Sequence, residues 1–201
     1  MPSSQKGHWT YTIDEWHSDQ FKQILEKLPI DIRVVYDVGA NVGGWTEVMK
    51  EKYPSAYYYC FEPVFENYDA LIKNVPYATN LPYGIFYGHR TSKVHSRGDH
   101  NVGAFFVEHI VAGDPIVEHD GEIMQLRTFE ELELPKADLM KFDIEGAEVN
   151  VLENSSTVKT TPWLIVEWHP NEDGTEFFKQ HLPNHKIVHN ISNMQYLLCL
   201  K

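Results

Sequence analysis

Asp37-Val38-Gly39-Ala40-Asn41-Val42-Gly43-Gly44-Trp45 follows the β-branched run Arg33 to Val38 and opens an amphipathic stretch that extends from about Gly44 to Lys52. Glycines at 39, 43 and 44 permit positive φ and let a ligand approach the backbone closely. The start of the following helix offers unpaired N–H groups to an anion such as an amino-acid carboxylate. Ala56 to Phe61 reads as the next strand, so the turn joins a β-α-β unit. A dinucleotide-binding turn would need Gly-x-Gly-x-x-Gly, with its middle glycine clearing space for a pyrophosphate. Asn41 stands there instead, which argues against NAD or FAD and for a ligand without a pyrophosphate; S-adenosylmethionine meets that requirement. Glu62 closes the second strand, where an acidic side chain can accept both ribose hydroxyl protons, and Pro63 then turns the chain.

Outward from this unit, strand-like and helix-like runs alternate, as in an α/β domain whose helices cover a largely parallel sheet. Asp14 reads as the N-cap of a first helix carrying Trp16, Phe21, Ile24, Leu25 and Leu28 before Pro29. Further on, the pattern predicts a helix over 67–74, a strand over 81–87, a strand over 137–143, a helix over 146–152 and a strand over 164–168. A helix near 176–181 then precedes two strands, 186–191 and 195–200, whose short connection makes them antiparallel. A mostly parallel seven-stranded sheet with helices on both faces and one antiparallel C-terminal hairpin strand is the Rossmann-like class I methyltransferase arrangement. Residues 88–127 break the alternation, with strand-like islands at 104–107 and 123–126, and we expect a substrate-side insertion or lid there.

The 201 residues suit one domain, with residues 1–30 as an N-terminal helical cap. Seventeen basic against twenty-nine acidic side chains, a net charge of −12, disfavour polyanionic partners, so neither nucleic acid nor an anionic membrane surface is expected. The N-terminus shows no apolar signal region and no run suits a membrane helix, so the expectation is a soluble, cytoplasmic protein. Cys60 and Cys199 fall in strand-like runs and read as reduced core thiols rather than a disulfide or zinc site.

Three blocks are similar to the FkbM-like methyltransferase family: Val35 to Gly43, then Phe61-Glu62-Pro63, then Leu139-Met140-Lys141-Phe142-Asp143-Ile144-Glu145-Gly146-Ala147-Glu148 with Val151-Leu152. The resemblance spans about Val34 to His169. It implies a Rossmann-like fold, S-adenosylmethionine as donor, and methyl transfer to a hydroxyl group of a sugar, glycan or small metabolite. The chain departs from the family at Phe129-Glu130-Glu131, where Leu-Asp-Asp is frequent, and at Asn154, where glycine is frequent.

Moving a methyl group from a sulfonium to an alcohol releases a proton, so a base or a metal-bound alkoxide should stand near the acceptor. Asp143 and Glu145 end the fourth predicted strand, and Glu167 and His169 end the fifth. One reading makes Asp143 or His169 the general base, with Glu145 and Glu167 positioning the acceptor. The other places Mg²⁺ or Mn²⁺ on Asp143, Glu167 and His169. Glu148 reads as a helix-capping side chain. The donor site comprises Asp37, Gly39, Ala40, Asn41, Gly43, Glu62, Pro63 and Phe65. Phe65, Trp9 and Tyr11 are candidate stacking surfaces for adenine or a sugar. His89, His95, His100, His109 and His119 follow no ligand spacing, and Asp99, His100 and Asn101 are candidates for acceptor contact. A nucleic-acid methyltransferase and a non-catalytic S-adenosylmethionine-binding scaffold are the rival readings.

Overall fold

The computed structural model describes residues 16, 18–97, 116–170, 172–192 and 194–201, with 93–97 and 116–122 described as backbone only. Its main sheet has seven strands in the order β3-β2-β1-β7-β8-β10-β9. These are β1 (Val34–Val38), β2 (Tyr57–Phe61), β3 (Thr79–Leu81), β7 (Leu139–Phe142), β8 (Trp163–Glu167), β9 (His185–Ile191) and β10 (Gln195–Leu200). Strands β3, β2, β1, β7 and β8 are mutually parallel, while β10 runs antiparallel to both β8 and β9. The expected parallel sheet with an antiparallel C-terminal strand is the one observed.

Alternation along β1 and its neighbours supplies both faces of the core. Val35, Leu139, Ile165 and Leu197 pack against α1 (Asp19–Lys27) and α2 (Gly44–Lys52). Cys60, one strand over, meets Leu71 of α3 (Phe65–Asn74). On the opposite face Tyr36, Val38, Met140, Phe142, Leu164 and Val166 pack on α4 (Glu148–Asn154), α5 (Ser156–Lys159) and α6 (Thr175–His181).

Several boundaries differ from the sequence pattern for identifiable reasons. The first described helix is capped by Ser18, whose hydroxyl accepts from the Phe21 amide; Asp14 lies outside the described residues. The run expected as one strand over 81–87 divides at Pro82, which has no N–H for a ladder. Its first part closes the main sheet as β3, and β4 (Gly84–Ile85) joins a second sheet. Helix α4 starts at Glu148 because Gly146 has φ +98°, outside helical geometry. The expected insertion contains β5 (Thr91–Arg97) and β6 (Ile116–Arg127), paired antiparallel, with β4 parallel to β6. The island at 104–107, and with it the body of the expected lid, lies outside the described residues.

Glu130 and Glu131, where the chain departs from the pattern it otherwise resembles, fasten this second sheet to the core. Glu130 accepts from the hydroxyls of Tyr87, Ser156 and Thr157 and from the Thr157 amide. Glu131 closes a capping box with Thr128 and pairs with Arg90.

The strand order reverses between β1 and β7, and in open α/β sheets the crevice beyond such a reversal is where ligands bind. The two strand ends touch through Gly39. It has φ +80°, and a Cβ there would lie 1.8 Å from the Asp143 carbonyl oxygen. Gly39→Ala therefore has to force the two strand ends apart. Chemical denaturation should show a loss of at least about 2 kcal/mol, and a variant as stable as wild type would contradict this contact.

Candidate active site

The glycine-rich loop is held from below by the end of β2. The Gly39 and Ala40 amides both donate to the Phe61 carbonyl, at 3.0 and 2.9 Å. Asn41 has φ +50°, so the position where a dinucleotide turn has glycine keeps a left-handed backbone and adds a side chain. Gly43, at φ +95°, is the N-cap of α2 and sits against Leu71 and Val75.

Glu62 is buried and ties the loop to the β2 end. Its Oε2 accepts from the Asn41 amide at 2.8 Å and its Oε1 from the Val64 amide at 2.9 Å. Burial pushes the carboxyl up to about 7, against the backbone donors Val64 and Asn41 that favour its charged form. Two carboxylate oxygens carry about four acceptor sites, and with the Asn41 and Val64 amides and the Asn67 side chain donating, about one remains. Pro63 packs near Gly84, and Phe65 opens α3 with its ring largely exposed at 72%.

Asp37 faces inward rather than toward the crevice mouth. It is 1% exposed, and its Oδ2 accepts from the Thr46 hydroxyl at 2.6 Å. Its other oxygen is 3.2 Å from the ammonium of Lys141. Lys141 is the residue the sequence reading passed over. A lysine inside the apolar run Leu139-Met140-Lys141-Phe142 was the available signal, since a buried charge needs partners. Burial opposes its charge, but Asp143, Asp37 and Glu167 outweigh that and raise its pKa.

At the end of β7, Asp143, Glu145 and His169 come together, with one ligand-type atom from each within 4.8 Å of the others. His169 Nε2 lies 3.8 Å from Asp143 Oδ1 and 3.7 Å from Glu145 Oε2. Glu148, fully buried, holds the other ring nitrogen at 2.8 Å and accepts from the Ile144 and Gly146 amides, both at 2.9 Å. The helix has no side-chain cap, so instead of capping it Glu148 braces the preceding loop and orients the imidazole. Glu167 stands outside this cluster, and its charge acts on Lys141. Burial disfavours the imidazolium, but Glu148, Asp143 and Glu145 together push His169 up to about 10. His169 is thus a cation at neutral pH.

Among the histidines of the insertion, His89 stacks on Phe86 at 5.9 Å. His95 and His119 lie in segments described as backbone only. Trp9, Tyr11, Asp99, His100, Asn101 and His109 lie outside the described residues.

Residues 37–196 match the model of the methyltransferase FkbM domain. The chain belongs to this family. A hexuronic acid methyltransferase, AglP of Haloferax volcanii, is 27% identical over 174 residues, covering 80% of this chain and 66% of its own length. The chain thus spans just under two thirds of that relative. The crystal structure of methyltransferase FkbM from Methylobacillus flagellatus KT superposes with TM-score 0.59 at 16% identity, over 88% of this chain and 45% of the other. The fibrillarin/Nop5p complex structure gives TM-score 0.52 at 15% identity, over 92% and 82%. These likenesses establish the class I methyltransferase fold expected from the strand pattern. No helix among the described residues is long and apolar enough to cross a membrane.

His169's raised pKa gives it a defined link to stability. Its contribution is complete below its ordinary value of 6.5 and is lost as pH rises through about 10. In imidazole NMR both ring nitrogens should stay protonated through neutral pH, and Glu148→Gln should move the titration down toward the ordinary histidine range. An unchanged midpoint would show that Glu148 does not hold the imidazolium.

Proposed function

We propose that this domain transfers a methyl group from S-adenosylmethionine to a hydroxyl of a sugar, glycan or small metabolite, in the crevice beyond β1 and β7. The observation that carries this reading is the backbone contact between Gly39 and Asp143. It puts a glycine-rich turn suited to an adenosyl amino acid directly beside a carboxylate cluster. The similarity to a hexuronic acid methyltransferase supports a sugar acceptor, and the net charge of −12 disfavours nucleic acid.

In this reading the helix end after Gly43 and the amides of the 39–43 turn receive the amino-acid tail, and Glu62 receives the ribose. Pro63 and Phe65 flank the adenine side, while Asp37 holds the turn from beneath through Lys141. Transfer is an in-line displacement: the acceptor oxygen forms the new O–C bond as the S–C bond breaks, leaving S-adenosylhomocysteine and a methyl ether. The acceptor proton passes to Asp143. A protonated His169 cannot take it, so of the two candidate bases the carboxylate remains. Glu145 and the imidazolium orient the hydroxyl, and Glu167 acts from beside Lys141.

The second reading places Mg²⁺ or Mn²⁺ on Asp143, Glu145 and His169, favoured by the mutual approach of their ligand atoms. The metal-free version needs fewer assumptions and is preferred. Turnover abolished by a chelator and restored by the ion would reverse that preference.

Two measurements test the assignment. Asp143→Asn should lower methyl transfer to a sugar panel by about 100-fold or more while leaving S-adenosylhomocysteine affinity nearly unchanged; retained turnover removes Asp143 as base. Because the carboxyl of Glu62 is pushed up to about 7, its charged form gains population as pH rises past neutrality. The folded state correspondingly loses stability between its ordinary value of 4.5 and about 7. S-adenosylhomocysteine should therefore bind more tightly above that pH, and Glu62→Gln should flatten the dependence. A dependence that survives the substitution would place the ribose elsewhere.

A further inference from the structure

We infer that Lys141 is a positioning residue that locks the donor loop to the acceptor carboxylate, an inference that rests on the methyl-transfer reading above. Lys141 and Asp37 are register partners on β7 and β1, so their side chains rise together on the α1 and α2 face across the point where strand order reverses. The Lys141 ammonium meets three acceptors at once: Asp37 Oδ1 at 3.2 Å, the Gly39 carbonyl at 2.9 Å and Asp143 Oδ2 at 3.3 Å. The Gly39 carbonyl accepts a hydrogen bond from the ammonium, and the two carboxylate oxygens pair with its charge. The Trp16 ring lies over the same group, 5.5 Å from ring centre to nitrogen, and closes it off from solvent.

A lysine buried only to neutralise Asp37 would need that one partner, and an apolar pair of similar volume serves stability at least as well. The other two acceptors have no such explanation. Gly39 belongs to the turn proposed to hold the sulfonium compound, and Asp143 is the proposed proton acceptor. One 2% exposed cation therefore hydrogen-bonds to the proposed donor turn and pairs in charge with the proposed base. In-line transfer depends on that spacing, since a displacement of about 1 Å can slow an otherwise intact site by about 100-fold. Lys141 touches neither reactant; it acts through Gly39 and Asp143.

A double-mutant cycle on the full chain, assayed with S-adenosylmethionine and the best sugar acceptor, separates this role from bulk stabilisation. Lys141→Gln should lower kcat by about 30- to 100-fold with acceptor KM nearly unchanged, and Lys141→Gln/Asp143→Asn should be no slower than Asp143→Asn alone. A Lys141→Gln enzyme with wild-type kcat, or losses that simply multiply, would overturn the inference. If Lys141→Gln does not fold, Asp37→Asn/Lys141→Met removes both buried charges together and enters the same cycle. A wild-type chain that methylates no hydroxyl defeats the function itself and is seen before any variant is made. Hydrogen exchange then decides on Lys141: the 39–43 and 143–146 segments should lose protection together in the variant, and unchanged protection in either one rejects the lock.

Discussion

The close approach of β1 and β7 at Gly39 is the constraint on which the rest of the site depends. A carbonyl oxygen of Asp143 occupies the space where any other residue would carry its Cβ. This contact brings the glycine-rich turn and the acidic strand end together at the point where strand order reverses, the place where open α/β sheets bind ligands.

Around it the protein buries charge in pairs rather than singly. Lys141 answers Asp37 and Asp143, while Glu148 answers His169 and two backbone amides. Leaving one member of such a pair alone in the interior is strongly destabilising, so each pair fixes its partners' positions. Glu62 is the exception: amide donors and the charge of Lys141 favour its anion, but burial outweighs them and raises its pKa. That leaves one acidic group beside the glycine-rich turn sensitive to pH near neutrality, whereas the His169 imidazolium is not.

Much of this was legible in the sequence. The β-α-β unit around Gly39, the antiparallel ending and the placing of Asp143 and His169 at neighbouring strand ends all follow from local pattern and strand spacing. Glu167 was misplaced in the metal set because spacing of two residues tells which face a side chain takes but not how far a neighbouring strand end reaches. The turn at Glu145-Gly146, with both residues at positive φ, instead brings Glu145 to His169. Lys141 was passed over for a related reason. Its importance comes from register with Asp37, a long-range pairing that no local window contains. The division of the expected third strand at Pro82 was a local signal that the apolar run outweighed.

The central claim is that the crevice between the β1 and β7 ends accepts an adenosyl amino acid. A crystal structure of the chain with S-adenosylhomocysteine tests it most directly. The account predicts the amino-acid tail at the 39–43 turn, the ribose hydroxyls on Glu62 and the sulfur facing Asp143. A ligand bound elsewhere, or a saturating soak that leaves this crevice closed by protein side chains, would contradict it.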